Sequence, residues 1–177
     1  MFDNICKYIA ENFSDDLATR LFGSPLKITV LDPTELKLDT IRSDSLIFFQ
    51  SEQLIIQKEY QTDPDSKITL RMLYLFQNEN CCHTEFQTDP NSKIPFRMLD
   101  YRIRVYRRHP QKQMRQVVIY LRRSDSPLVQ ENTFRLGETF HSFQVIRLWE
   151  EKTPQFFHHP GLLPFAVLSN TDDPEQV

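Results

Sequence analysis

Apolar residues recur at two spacings along the chain, and the change from one spacing to the other marks its elements. Ile5, Ile9 and Phe13 stand four apart, which predicts a helix over residues 3–13 with Asp3 capping its start. A second short helix is predicted from Asp15 to Phe22, stopped by Gly23 with Pro25 just beyond. Residues 27–31 and 35–41 read as strands on either side of the Asp32-Pro33 turn. Residues 45–50 and 54–60 flank the polar pair Ser51-Glu52, the pattern of an antiparallel hairpin. Residues 95–108 predict an amphipathic helix, with Pro95 suited to its first turn. On one side fall Phe96, Leu99, Ile103 and Tyr106, and on another Arg97, Arg104, Arg107 and Arg108. Residues 116–122 and 143–149 read as strands, and the Pro-rich run 154–168 is expected to cover one end of the sheet. This alternation predicts an α/β chain in which residues 1–177 form a single domain.

Composition agrees with a packed domain. Apolar residues make up 40% and charged residues 25%, too apolar for a disordered chain. The three cysteines, Cys6, Cys81 and Cys82, lack CxxC spacing, and with no basic, apolar leader at Met1 they fit a reducing cytosol. No apolar run approaches the ~20 residues that span a bilayer, so the expectation is a cytoplasmic protein with no membrane partner. A formal net charge of −3 does not announce a nucleic-acid binder, so any phosphate-facing charge must be local. The stretch 101–123 supplies such charge: Arg102, Arg104, Arg107, Arg108, Lys112, Arg115, Arg122 and Arg123, with no acid among them. It reads equally as a phosphate-contacting surface or as a solubilising face.

An internal repeat stands out. Residues 60–73 read YQTDPDSKITLRML and residues 86–99 read FQTDPNSKIPFRML, identical at ten of fourteen positions with an offset of 26. Solenoids need about three or more units, so two copies inside a non-repeating chain indicate a tandem duplication, over about 47–73 and 74–99. One sheet position then has two candidate strands, and one unit is expected to be accommodated as an insertion.

The repeated unit carries the candidate chemistry. Closing the hairpin with a two-residue turn at Ser51-Glu52 sets Asp44 opposite Glu59. Gln61, two residues on, projects from the same face. Two carboxylates that close repel unless a cation lies between them, and hard oxygen ligands suit Mg²⁺ or Mn²⁺. Gln61 has no titrating group, so it can orient water or phosphate but cannot act as a base. The second copy repeats the motif as Glu85 and Gln87. It leads directly into the basic helix but brings no aspartate of its own, its counterpart of Asp44 being Leu70 or Arg71. Both Glu59 and Glu85 remain candidate metal ligands beside Asp44.

The segments FDNICKY (2–8), IRSDS (41–45), the two Glu-x-Gln-Thr-Asp-Pro motifs, RMLDY (97–101) and VIRLWE (145–150) resemble the recombination-promoting nuclease and transposase family, cyanobacterial type. The resemblance covers nearly the whole chain. It implies a PD-(D/E)XK restriction-endonuclease-like core, a mixed central sheet flanked by helices, here with the strand–helix segment duplicated. It further implies a metal-dependent DNA endonuclease acting in transposition or recombination, Mg²⁺ or Mn²⁺ as cofactor, DNA as partner and compatibility with a homodimer. Carried over residue by residue, Asp44 with Glu59 or Glu85 would hold the metal, Gln61 or Gln87 would assist, and Arg97, Arg104, Arg107 and Arg108 would contact DNA. Family members continue into a helical C-terminal region that this sequence does not include. The alternative expectation is a catalytically inactive remnant that at most binds DNA or protein.

Other features read more plainly. Glu11 could add an acid near a metal but is expected at the surface, and His158-His159 is expected as an exposed loop pair. Cys81-Cys82 fit a buried strand and Trp149 fits core packing. No Gly-rich phosphate loop and no serine or cysteine triad signature occurs.

Overall fold

The structure, a computed structural model, describes residues 5–6, 8–9, 12–13, 15–16, 19–20, 29–31, 45–50, 54–60, 68–76, 80–108, 110–111 and 113–170. For residues 29–82 within that set, and for Arg108, the description is of the backbone. In chain order the elements are β1 (Thr29–Leu31), β2 (Ser45–Gln50), β3 (Leu54–Tyr60), β4 (Ile68–Phe76), β5 (Asn80–Gln87), α1 (Ile94–Arg108), β6 (Gln113–Tyr120), β7 (Thr133–Leu136), β8 (Thr139–Ser142), β9 (Gln144–Arg147) and α2 (Leu163–Ala166). The expected strand at 35–41 lies outside the described residues.

Seven of the described strands form one mixed sheet in the order β1-β2-β3-β4-β5-β6-β9. Strands β1 to β5 pair antiparallel, whereas β5–β6 and β6–β9 are parallel. Parallel neighbours need a long crossover, and α1 supplies the one between β5 and β6. The chain is therefore mixed α/β. β7 and β8 make a separate hairpin whose turn places Gly137 at φ 55°, a conformation that favours glycine.

Both repeat units enter the sheet. β3 and β5 occupy equivalent repeat positions and lie two strands apart with β4 between them. Neither unit is an insertion, contrary to the expectation. The reason lies in β4, whose residues 68–73 (ITLRML) are extended, while their repeat equivalents 94–99 (IPFRML) open α1. Thr69 is β-branched and suits a strand; Pro95 lacks an N–H and suits a helix start. With β4 extended, β3 and β5 each gain a hydrogen-bonding neighbour.

The first hairpin forms over the expected residues with a different register. Glu59 pairs with Leu46, not with Asp44 as expected, and Gln50 with Ile55, so the connection is two residues longer than the turn at Ser51-Glu52 alone. A shift of two preserves which residues share a face. The alternation of apolar and polar residues therefore cannot distinguish the two registers.

Helix α1 spans nearly the expected residues, but its buried stripe differs. Ile94, Met98, Tyr101 and Val105 face inward, whereas Phe96 and Tyr106 are 58% and 63% exposed. The buried set follows the spacing of one helical face and contributes roughly 1.5–3 kcal/mol per large apolar side chain as an upper bound. The start is fixed locally: Asn91 Oδ1 accepts from the Lys93 N–H at 2.9 Å, and the Ile94 N–H donates to the Asn91 carbonyl at 3.1 Å. Pro110 follows the helix, and a residue before proline is biased away from helical backbone.

The sheet is covered on both sides of β5 and β6. Ile94 and Met98 of α1 pack with Val118, Tyr120, Val129 and Phe143, and Val145 and Trp149 border this cluster, which bears out the core reading of Trp149. Toward the other face, Phe86 meets Phe165 of α2 at 5.8 Å between ring centroids. Phe156, Leu162 and Ala166, from the Pro-rich run, are buried. That run folds as short 3-10 turns and α2 and covers a sheet face. Residues 5–6, 8–9 and 12 are helical as expected, with Cys6 and Ile9 buried. They join the Pro-rich layer at Gly161, where a Cβ would overlap the Phe13 side chain and where the Gly161 N–H donates to Asp16 Oδ2 at 2.6 Å.

Candidate functional site

The parallel junction between β5 and β6 collects the polar residues of the core. Along β5, His83, Glu85 and Gln87 alternate on one face and all three are buried. Their neighbours across β6 are Gln116, Val118 and Tyr120. A strand whose every second residue is polar normally faces water. Here α1 lies over that face, so each polar group needs a partner within the protein.

Glu85 is fully buried, and its carboxylate is surrounded by donors. Oε1 accepts from Gln87 Nε2 at 2.6 Å and from Arg97 Nη2, while Oε2 accepts from Arg97 Nε at 3.2 Å. The Arg97 side chain, in the first turns of α1, is 14% exposed. This is a two-pronged guanidinium–carboxylate pair in a dry environment, the geometry that gives such pairs strength and direction. Tyr120 lies within the field of the same carboxylate. Burial first, then the charges of Glu85 and Glu131, push its phenol up to about 12, against the opposing pull of Arg97 and Arg147. At neutral pH the ring therefore keeps its proton.

A second cluster adjoins the first. Gln116 Nε2 donates to the Met98 carbonyl at 2.7 Å and contacts His83 Nδ1 at 3.1 Å. The carbonyl fixes that amide end as nitrogen, which leaves His83 Nδ1 to accept. The His83 ring stacks on Tyr101, 4.6 Å between centroids.

The backbone register places the other candidate residues relative to Glu85. One row across the sheet reads Leu46, Glu59, Arg71, Glu85, Val118, Val145. Glu59 and Glu85 thus stand two strands apart in the sheet, about 9–10 Å between backbones. Between them, at the position directly opposite each, is Arg71, the repeat equivalent of Arg97. Asp44 and Gln61 lie outside the described residues, and so does Glu11.

The arginines expected to face DNA divide into two groups. Arg97 is committed to Glu85, and Arg104 pairs with Asp100 at 2.8 Å within α1. Arg102 donates to the Met114 carbonyl at 2.6 Å, and Arg122 pairs with Asp89. Arg107, Arg115 and Arg123 are exposed; Arg108 lies in the last turn of α1 by its backbone. His158 is exposed as expected, while His159 is partly buried with Nδ1 4.0 Å from Asp16.

A divalent ion needs converging oxygens with lone pairs. Among the described partners of Glu85, Gln87 and Arg97 present N–H donors, and a guanidinium has no lone pair to offer. The group around Glu85 therefore does not fit a divalent ion as it stands. Among the described residues no three His, Cys, Asp or Glu side chains come together as a metal-holding set. Likewise, no helix among them is long and apolar enough to cross a membrane. The chain matches no protein-family model, no curated protein and no solved structure.

Sequence reasoning singled out Glu85, Gln87 and Arg97 but missed His83, Gln116 and Tyr120. The alternation His83-x-Glu85-x-Gln87, set between an apolar hairpin and an amphipathic helix, was the signal that could have found the buried polar row. Nothing in the sequence marked Gln116 or Tyr120.

Proposed function

We propose that the chain is a metal-dependent DNA endonuclease of the transposition and recombination type, with Asp44, Glu59 and Gln61 as its metal-site residues. The observation that supports the nuclease-type reading best is the order of parts around the second copy, while the choice of Glu59 rests on its family-like spacing to Asp44. An antiparallel meander delivers Glu85 and Gln87 on one face of β5, which leads through a basic helix into a parallel strand. That is the setting in which the resembling nucleases carry their acid-x-amide motif, and the duplication provides a second such motif at Glu59. An ion bound there would make its water more acidic and stabilise charge on phosphorus. Exposed Arg107, Arg115 and Arg123 supply charge for a phosphate backbone.

The test is nicking of supercoiled plasmid by the purified protein with Mg²⁺ or Mn²⁺. The expected result is nicking that Asp44→Ala and Glu59→Ala abolish and Glu85→Ala reduces only through stability. Nicking that survives Asp44→Ala would sink the assignment.

A second reading, a catalytically inactive remnant that at most binds DNA or protein, is favoured by one specific observation. The copy in the nuclease-like position has an arginine, Arg71, at the place of the expected aspartate and a second, Arg97, on its glutamate. Absence of nicking, together with no rise in melting temperature on adding Mg²⁺ or Mn²⁺, would select this reading.

A further inference from the structure

The environment of Glu85 is complementary to an anion. Gln87 turns its amide N–H toward the carboxylate, which aims its carbonyl oxygen elsewhere. Arg97 spans both carboxylate oxygens from α1, the element that crosses over the β5–β6 junction. Tyr120 remains a neutral phenol beside the pair. Arg71, the other copy of the same repeat position, stands directly opposite Glu85 in register. Duplication has therefore brought both copies of one arginine to a single glutamate, one by side-chain contact and one by strand position.

We infer that Arg97 is the resident cation of the Glu85 and Gln87 unit, filling the electrostatic role that a divalent ion has in the resembling nucleases. The unit is thereby a metal-independent clamp that fastens α1 to β5. A buried carboxylate is stable only when its charge is answered, and removing one partner of such a pair leaves an uncompensated charge. Arg97 answers it with two charge-assisted hydrogen bonds that a metal would have to break. A divalent ion therefore enters this unit only when Arg97 is gone. The inference holds whether or not the chain cleaves DNA, since it concerns what occupies Glu85.

The experiment compares the full chain with Arg97→Met, Glu85→Gln and the double variant, using Mn²⁺ alone as the probe. Melting temperature and bound Mn²⁺, counted by electron paramagnetic resonance of the free ion, are the two readouts. Wild type and Glu85→Gln are expected to bind the same amount of Mn²⁺. Arg97→Met is expected to lower the melting temperature by on the order of 10 °C. Millimolar Mn²⁺ should restore part of that loss, and the extra ion should be countable. The double variant should recover more than half of the loss without metal and show no Mn²⁺ response beyond wild type.

Fewer ions on Glu85→Gln than on wild type would overturn the inference, because Glu85 would then be a ligand in the native chain. A double variant as unstable as Arg97→Met alone would overturn the clamp. If Arg97→Met does not fold, Arg97→Lys keeps the charge while losing the fork and tests the same coupling. The Mn²⁺ comparison of wild type with Glu85→Gln needs neither Arg97 variant. Plasmid nicking is not among these readouts, so a failed nuclease assignment leaves them interpretable.

Discussion

Tyr120 is buried beside Glu85, and that position links its proton to the stability of the fold. Burial and the neighbouring carboxylates raise its pKa from 10.0 to about 12. The folded state thus prefers the neutral phenol more strongly than the unfolded chain does. The associated stability is fully present below pH 10 and is lost as pH rises toward 12. Denaturant midpoints measured between pH 9 and 12 should fall more steeply for wild type than for Tyr120→Phe, the difference between the two curves being the Tyr120 contribution. Equal slopes would show that the phenol stays ionisable and wet. Glu85 and Gln87 were legible at this scale because a repeated Glu-x-Gln is conspicuous. The use of Arg97 was not. Sequence spacing put it on the charged side of the helix with Arg104 and Arg107, whereas the observed rotation of α1 aims it at Glu85. Two apolar stripes compete on α1, and only contact with the sheet decides which one is buried.

At the scale of the element, the two repeated hexapeptides make different structures. ITLRML at 68–73 lies in β4, and IPFRML at 94–99 opens α1. Four of the six residues are the same, so local preference alone does not account for the outcome. Thr69 and Pro95 tilt each copy, but the flanks differ more: Tyr74-Leu75-Phe76 extends the strand, while Asp100, Arg104 and the stripe through Tyr101 and Val105 extend the helix. The double substitution Pro95→Thr with Phe96→Leu makes the hexapeptides identical. We expect α1 to remain helical, with the far-ultraviolet circular dichroism preserved and stability reduced by about 1–2 kcal/mol. A loss of helical signal would mean that Pro95 alone sets the element. The hairpin register was illegible for a related reason. Periodicity of two fixes which face a residue takes but not which residue it meets.

For the whole molecule, the duplication widens the sheet by two strands and inserts Arg71 into the row between Glu59 and Glu85. Excising residues 53–78 removes one repeat length with its junction in the hairpin turn. It leaves β2 to pair directly with β5. We expect the shortened chain to fold with a single cooperative unfolding transition, melting within about 10 °C of wild type, because α1, β6 and the Pro-rich layer keep their contacts with β5 and β9 keeps its pairing with β6. Loss of cooperative unfolding would show that β3 and β4 are integral to the core rather than an added pair.

The sequence by itself determined that the chain is α/β, where its hairpin and long helix lie, that one segment is duplicated, and which acid-x-amide pairs are conspicuous. These follow from periodicity and identity, which are local. Tertiary structure alone decided that both copies enter one sheet, that one hexapeptide is a strand and its twin a helix, and that Glu85 faces an arginine. Those outcomes depend on which surfaces bury one another and on the need to answer every buried charge and backbone group. Such needs exist only between segments distant in the chain.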